Sequence, residues 1–485
     1  MISACLAACR VVSVATLVVA AGCAVGPNYR QPLTPAGAEA PLVSRDPALE
    51  TTEPPPDAWW RLYADPQLDR FVAEAFAANA DLAAAESNLG AARAVLEAAR
   101  DGRYPATSSN FGALYGRDAT TDAILGAVGD NPRSMWKFDD VLDVSYELDL
   151  FGRVRRSIEA SRADTEAAMA ERDSVRVTVA AETTRAYVQV CALGEELAVA
   201  RRSLDVVTRE AGITILRRAS GAGTEFDVVR AQGLAAQVRS SIPPLEGQRR
   251  AAVLELAALL GRTPAHAPTE TCVAPPRLAG LIPVGDGASL LARRPDVRQA
   301  ERRLAAATAR IGVATADLYP RISLTSIYGG AGPSFSGLAA ERSLTWGLGP
   351  TISWSFPNLA GPRARIRQAK SEASAALAGF DAVVLRAMKE TEQSLVAYQA
   401  ELDHREALAE VQVKAHRAFD IANSQFLAGG ASTLDLLIAE QTLVAADADV
   451  AASDAVLAQN QIRVFKTLGG GWSQASQLRA AATSP

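Results

Sequence analysis

Val141-Leu142-Asp143-Val144-Ser145-Tyr146-Glu147-Leu148-Asp149-Leu150-Phe151-Gly152-Arg153 reads as a strand that turns directly into a very long helix. Leu142, Val144, Tyr146, Leu148 and Leu150 fall on one face, and Asp143, Ser145, Glu147 and Asp149 on the other, the alternation of a strand with one apolar side. After Gly152 the period becomes helical and meets no Pro before Gly221-Ala222-Gly223. Some 65 residues at 1.5 Å each make a helix on the order of 100 Å long. The event recurs: Trp346, Leu348, Ile352, Trp354 and Phe356 alternate with Gly347, Gly349, Thr351, Ser353 and Ser355, and a second long helix is expected from about Arg363 to Ala428.

Upstream of that stretch, the N-terminus speaks of export. Arg10 precedes the apolar run from Val11 to Ala21, too short to span a bilayer and laid out like a signal peptide over residues 1–22. Ala20-Ala21-Gly22-Cys23 resembles a bacterial lipobox, with Cys23 acylated as the new N-terminus; ordinary cleavage with a free thiol is the other reading. In such lipoproteins Ala rather than Asp after the Cys points to the outer membrane. Loss of Cys5 and Cys9 with the signal, and use of Cys23 by lipid, leaves Cys191 and Cys272 in an oxidising compartment. They form either a disulfide or two buried small side chains.

Residues 23–60 are Pro-rich and without period, an extended strap ending at Trp59-Trp60. Asp65-Pro66 opens a helix through Phe76, and a second helix runs from Asp81 to about Arg100. Strands are expected at 106–116, 141–150, 320–328 and 345–356, with a polar loop over 117–138. Asp81, Ala85, Glu86, Leu89, Tyr104 and Pro105 match Asp296, Ala300, Glu301, Leu304, Tyr319 and Pro320 at one constant shift. Thr224, Asp227, Ala231, Leu260 and Gly261 likewise match Ser432, Asp435, Ala439, Leu468 and Gly469. The chain is therefore a duplication, 61–270 and 271–470 with a tail at 471–485, and repeats often cannot bury their apolar faces alone. In the second long helix Ile366, Ala369, Ala373, Ala376, Phe380, Val383, Ala387, Thr391, Leu395, Tyr398 and Leu402 form a coiled-coil-like seam.

Strands of about ten residues cross a bilayer when tilted, and lipid admits no open sheet edge. Four strands cannot close a barrel; three chains giving twelve leave a water-filled lumen lined by Asp143, Glu147, Asp149, Thr351 and Ser353. Trp136, Phe138, Tyr146, Trp346 and Trp354 are candidates for interfacial girdles.

Cys23-Ala24-Val25-Gly26-Pro27-Asn28-Tyr29, Trp59-Trp60, the Tyr-Pro before each hairpin and the duplicated layout together resemble outer-membrane efflux lipoproteins of the TolC/OprM superfamily, NodT-type. The resemblance implies a mainly α protein with a transmembrane β portion: a TolC-like homotrimer with a twelve-stranded β-barrel and a long periplasmic α-helical barrel. It implies a passive exit duct for drugs or other small molecules, lipid-anchored in the outer membrane. Its partners would be a periplasmic adaptor and an inner-membrane pump of the RND type, and it would have no catalytic centre, metal or cofactor. A type I secretion duct and a pore-less coiled-coil lipoprotein are the alternatives.

By the same resemblance the helix tips meet the adaptor: Gly221, Gly223, Thr224 and Asp227 in one copy, Gly429, Gly430 and Ser432 in the other. Gly permits a left-handed turn and Thr or Ser an N-cap, so hairpin chemistry alone explains these residues equally well. The family's Arg-aromatic pair before the Gly is split, Arg217-Arg218 in one copy and Gln425-Phe426 in the other. Leu434 matches the family's apolar ring at the constriction, Ile438 stands where an acid is usual, and Asp435 is a weaker candidate acid. A net charge of -5 with 21% charged residues provides no general basic surface for nucleic acid. His266, His404 and His416 show no metal-ligand spacing, and no phosphate loop or nucleophile elbow is present.

Overall fold

Helix formation begins where Asp65 and Pro66 predict it. The Asp65 carboxylate accepts from the backbone N–H of Gln67 and Leu68, and Pro66 occupies the first turn, where a missing N–H costs nothing. A computed structural model of the protein describes residues 24–117, 123, 127, 134–269, 272, 274–278, 280–338 and 340–470. The signal peptide 1–22, Cys23 and the tail 471–485 lie outside the described residues, as does most of the expected loop at 117–138. In chain order the elements are β1 (Glu50–Thr51), α1 (Pro66–Ala78), α2 (Ala80–Asp101), β2 (Ala106–Gly116), β3 (Met135–Leu148), α3 (Arg153–Ala219) and α4 (Glu225–Leu259). Then follow β4 (Ile282–Pro283), α5 (Gly287–Arg293), α6 (Pro295–Ala316), β5 (Arg321–Gly332), β6 (Leu344–Ser353), α7 (Ala360–Leu427) and α8 (Thr433–Thr467). Among the described residues no helix is long and apolar enough to cross a membrane.

The chain divides into two compact units, and neither follows the sequence repeats. One comprises the described residues up to Pro32, Gly90–Ala167 and Ala300–Gly379. It holds an antiparallel sheet of order β2-β3-β5-β6, whose central ladder pairs the first repeat with the second. The register sorts the side chains. Directly opposed pairs Val144/Ser326, Leu142/Tyr328, Tyr146/Leu324, Leu148/Ile322, Ile322/Ile352 and Tyr328/Trp346 share one face, because residues at even spacing point the same way. The other face carries Ser108, Asn110, Lys137, Asp139, Asp143, Ser145, Glu147, Ser323, Thr325, Thr351 and Ser353. On the apolar face Trp346 is 74% exposed and Leu348 67%. Asp140 is its charged exception; it lies opposite Phe111, and Phe335 from the β5–β6 connection packs edge-on against Phe111 and Phe138.

Three strands differ from their expected bounds, and β5 runs on to Gly332 rather than ending at 328. β3 begins at Met135 rather than 141, taking residues 135–138 from the expected loop, because Trp136 and Phe138 extend the apolar alternation and Trp136 packs against Tyr115 of β2. It ends at Leu148, so Asp149 and Leu150 stand outside the strand. β6 ends at Ser353, and beyond it the Trp354 indole donates to the Leu318 carbonyl at 3.0 Å while its ring stacks on Phe356.

The second unit comprises Leu33–Leu89, Ala168–Gln299 and Phe380 onward. The strap contributes β1, which pairs in parallel with β4, a pairing absent from the sequence reading because two-residue strands carry no period. Its main core gathers Trp59, Trp60, Phe71, Tyr187, Leu256, Ile282, Leu395 and Phe465. Trp59 and Phe465, both fully buried, stack with ring centroids 4.9 Å apart. In α7 the buried seam runs Phe380, Val384, Ala387, Thr391, Leu395 and Tyr398, with Val384 rather than Val383 facing inward. Removal of a buried aromatic leaves a large cavity, so Trp59→Ala is expected to lower unfolding stability by about 3–5 kcal/mol in a denaturant titration.

Candidate functional site

At the turn between α3 and α4, Gly221 takes φ +75°, and at the turn between α7 and α8, Gly429 takes φ +78°. The hydrogen bonds around them coincide. Ala222 N–H donates to the Arg217 carbonyl and Gly430 N–H to the Gln425 carbonyl, both at 2.8 Å, closing each helix end with a left-handed glycine. Each returning helix opens with a capping box. Thr224 N–H donates to Asp227 Oδ2 at 3.0 Å and Asp227 N–H to Thr224 Oγ1 at 3.2 Å. Ser432 and Asp435 repeat those distances. The Thr224 hydroxyl and then its backbone N–H hold Asp227 below the usual carboxylate range, and Ser432 does the same for Asp435. Asp435 therefore takes part in the capping box of α8.

The split Arg-aromatic pattern is reassembled in space. The Arg217 guanidinium lies over the Phe426 ring, 4.1 Å from its centroid, and donates to the Phe426 carbonyl at 3.3 Å. Each repeat supplies one member of a cation–π pair, so the two hairpin tips are fastened to each other. Arg218 instead pairs with Glu225 across its own turn at 2.7 Å. On the first turns of α8, Leu436 and Leu437 are buried, while Leu434 and Ile438, one turn apart on the same side, are 41% and 53% exposed.

A second constellation lies where β3 becomes α3. Asp149, expected to line a lumen with Asp143 and Glu147, instead caps α3: its carboxylate accepts from Val154 N–H at 3.0 Å and Arg155 N–H at 2.9 Å. Glu147 accepts from Arg153 Nε at 2.9 Å, and Asp143 stays on the polar sheet face. Val25 N–H donates to the Phe151 carbonyl, and a side chain on Gly152 (φ +79°) would strike Ala24 at 2.7 Å. The guanidinium of buried Arg156 donates to the carbonyls of Val25 and Gly26 and to Asn28 Oδ1, the last at 2.7 Å. Gly26, at φ +90°, abuts the backbone of Gly312, where any Cβ would come within 2.5 Å. Tyr29 donates to Glu301, and Arg302 bridges Glu301 and Glu166. The Val25-Gly26-Pro27-Asn28-Tyr29 motif is thus a clasp on the root of α3. Sequence reading used the motif but missed Arg156, whose one signal was a charge on the helix's inward face.

Cys191 and Cys272 are disulfide-bonded, with Cα atoms 4.7 Å apart, and Cys191 is fully buried in the main core. Among the described residues no group of three His, Cys, Asp or Glu side chains is placed to hold a metal ion.

The family model for outer membrane efflux proteins matches residues 71–262 and 288–470. Nodulation protein T of Rhizobium leguminosarum bv. viciae is 29% identical over 461 residues, 93% of this chain and 91% of that protein. The pyoverdine export outer membrane protein OpmQ of Pseudomonas putida is 29% identical over 92% of this chain and 93% of its own length. The solved outer-membrane channel OprN superposes with a TM-score of 0.86 at 33% identity, covering 93% of this chain and all of that one.

Proposed function

The chain belongs to the outer membrane efflux protein family, and from that membership we infer that it works as the passive outer-membrane duct of a tripartite efflux system. The observation that carries the mechanism is the two-faced sheet with its outer edges on β2 and β6. In lipid every backbone N–H and C=O needs a partner, so those edges must be met by neighbouring chains. Three copies joined β6 to β2 give a closed twelve-stranded barrel, apolar outside, with Asp143, Glu147 and Thr351 facing a wet interior. On this reading Leu348→Arg, on the lipid side near mid-strand, costs about 2–4 kcal/mol and blocks insertion, whereas Thr351→Arg inserts normally. Heat-modifiable mobility of the membrane-extracted protein on gels distinguishes the two; equal behaviour contradicts the assignment of faces.

Cys23 is the lipid-bearing residue in this reading. Support comes from Ala24, which packs against Gly152 where β3 gives way to α3. The clasp on Val25–Asn28 would then lie at the height of the inner leaflet of the outer membrane. Radiolabelled palmitate is expected to enter the wild-type protein and not Cys23→Ala.

The helix tips would be the periplasmic end. The repeated tips, bolted together through Arg217 and Phe426, present the adaptor with one rigid surface per protomer, and the pump behind that adaptor is of the RND type. Export of pyoverdine by a relative of similar length favours small-molecule cargo. Leu434 and Ile438, exposed in the single chain, would converge around the threefold axis and constrict the duct by excluding water. Replacing both by Ala should raise single-channel conductance of the purified protein in planar bilayers; unchanged conductance would remove them from the constriction.

A further inference from the structure

Two carboxylates are buried between the helices a few turns from the tips. Glu440 on α8 is 0% exposed, and no described protein group donates a hydrogen bond to either of its oxygens. Glu210 on α3 is 7% exposed, and its Oε2 is likewise without a donor. Their surroundings are apolar: Glu210 adjoins Ala211, and Glu440 lies one turn beyond Leu437, in a layer formed by Ala211, Ala231 and Leu437 with Leu234 against it. The next layer is Val207, Ala235 and Val238.

Ionisable groups on the packed elements leave Glu440 unrelieved, and at Glu210 Arg209 only partly offsets burial. From α3 the charge that acts on Glu440 is Glu210 itself, and Arg209 beside Glu210 acts on Glu210. From α4, Arg230 lies over the ring of Phe226. From α7, His416 bonds to Asp447, two turns farther along α8 than Glu440. An unpaired carboxylate in such a place costs far more than a neutral carboxyl, which can share its proton with a second oxygen.

We propose that Glu210 and Glu440 form a proton-binding site that latches the helix tips: a proton held by the pair keeps α3 and α8 packed, and its loss drives them apart. Burial first, and the Glu210 charge second, push Glu440 up to about 7, and burial likewise raises Glu210. Glu440 released to solvent ionises near 4.5. The packed arrangement is therefore most favoured below the lower value, and it weakens as the pH rises through the upper one. The latch sits at Glu440, two residues beyond the exposed Ile438, so any duct constricted by α8 would open more readily at neutral than at acidic pH.

Hydrogen exchange of the full-length protein in detergent tests this without requiring a pore, so a failure of the duct reading is told apart from a failure of the latch. Protection of residues 433–443, corrected for intrinsic exchange rates, should fall by about tenfold or more between pH 5 and pH 7.5 in the wild type. Glu440→Gln, which cannot ionise, should remove most of the pH-dependent fall and leave only the part due to Glu210. Glu210→Gln, which removes the repulsion and leaves Glu440 titratable, should keep the fall and move its midpoint to lower pH. An equal fall in wild type and Glu440→Gln, an unmoved midpoint in Glu210→Gln, or no fall in the wild type overturns the proposal.

Discussion

The pairing of β3 with β5 is the interaction on which the rest depends. It joins the first repeat to the second along eleven registered positions, and the register places Leu142 against Tyr328 and Tyr146 against Leu324. A slip of one residue would turn Leu142, Val144, Tyr146 and Leu148 to the face that carries Asp143 and Glu147. With the register held, the chain has one oily and one polar sheet surface, and its edges are left on β2 and β6. The long helices start from fixed points: Asp149 caps α3, and Arg156 binds Val25, Gly26 and Asn28 to the same root.

Duplication serves the helix tips in two ways. At the tips the repeats use the same local chemistry, a left-handed glycine and a capping box, down to matching hydrogen-bond lengths. Identical local solutions alone would leave two independent hairpins. Divergence supplies the link, since Arg217 comes from one copy and Phe426 from the other. The carboxyl pair Glu210 and Glu440 is divided between repeats in the same manner, and it introduces instability where the cation–π contact introduces cohesion.

Much was legible in the residues because local rules are strong where period or capping decides. The strand at Ala106–Gly116, both long helices and both turns announce themselves through alternation, 3.6-residue spacing, and Gly with Ser or Thr. The α4 helix passes through Pro243-Pro244, which its sequence alone argues against; packing of Val238, Ala252 and Leu256 carries it through. Asp149 was misplaced because an acid after an alternating run reads equally as strand or cap. Only the position of the Val154 and Arg155 N–H groups separates the two.

By itself the sequence determined the two-faced strands and the turn chemistry, because each depends on residues close along the chain, and the duplication, because residue types recur at a constant shift. The tertiary structure alone decided the Arg217–Phe426 stack, the Arg156 clasp, the Cys191–Cys272 bond and the burial of Glu210 with Glu440. These join residues from 81 to 230 positions apart. No periodicity spans such distances: a guanidinium, a thiol or a carboxylate gains its meaning from the dielectric and the partners that folding brings to it.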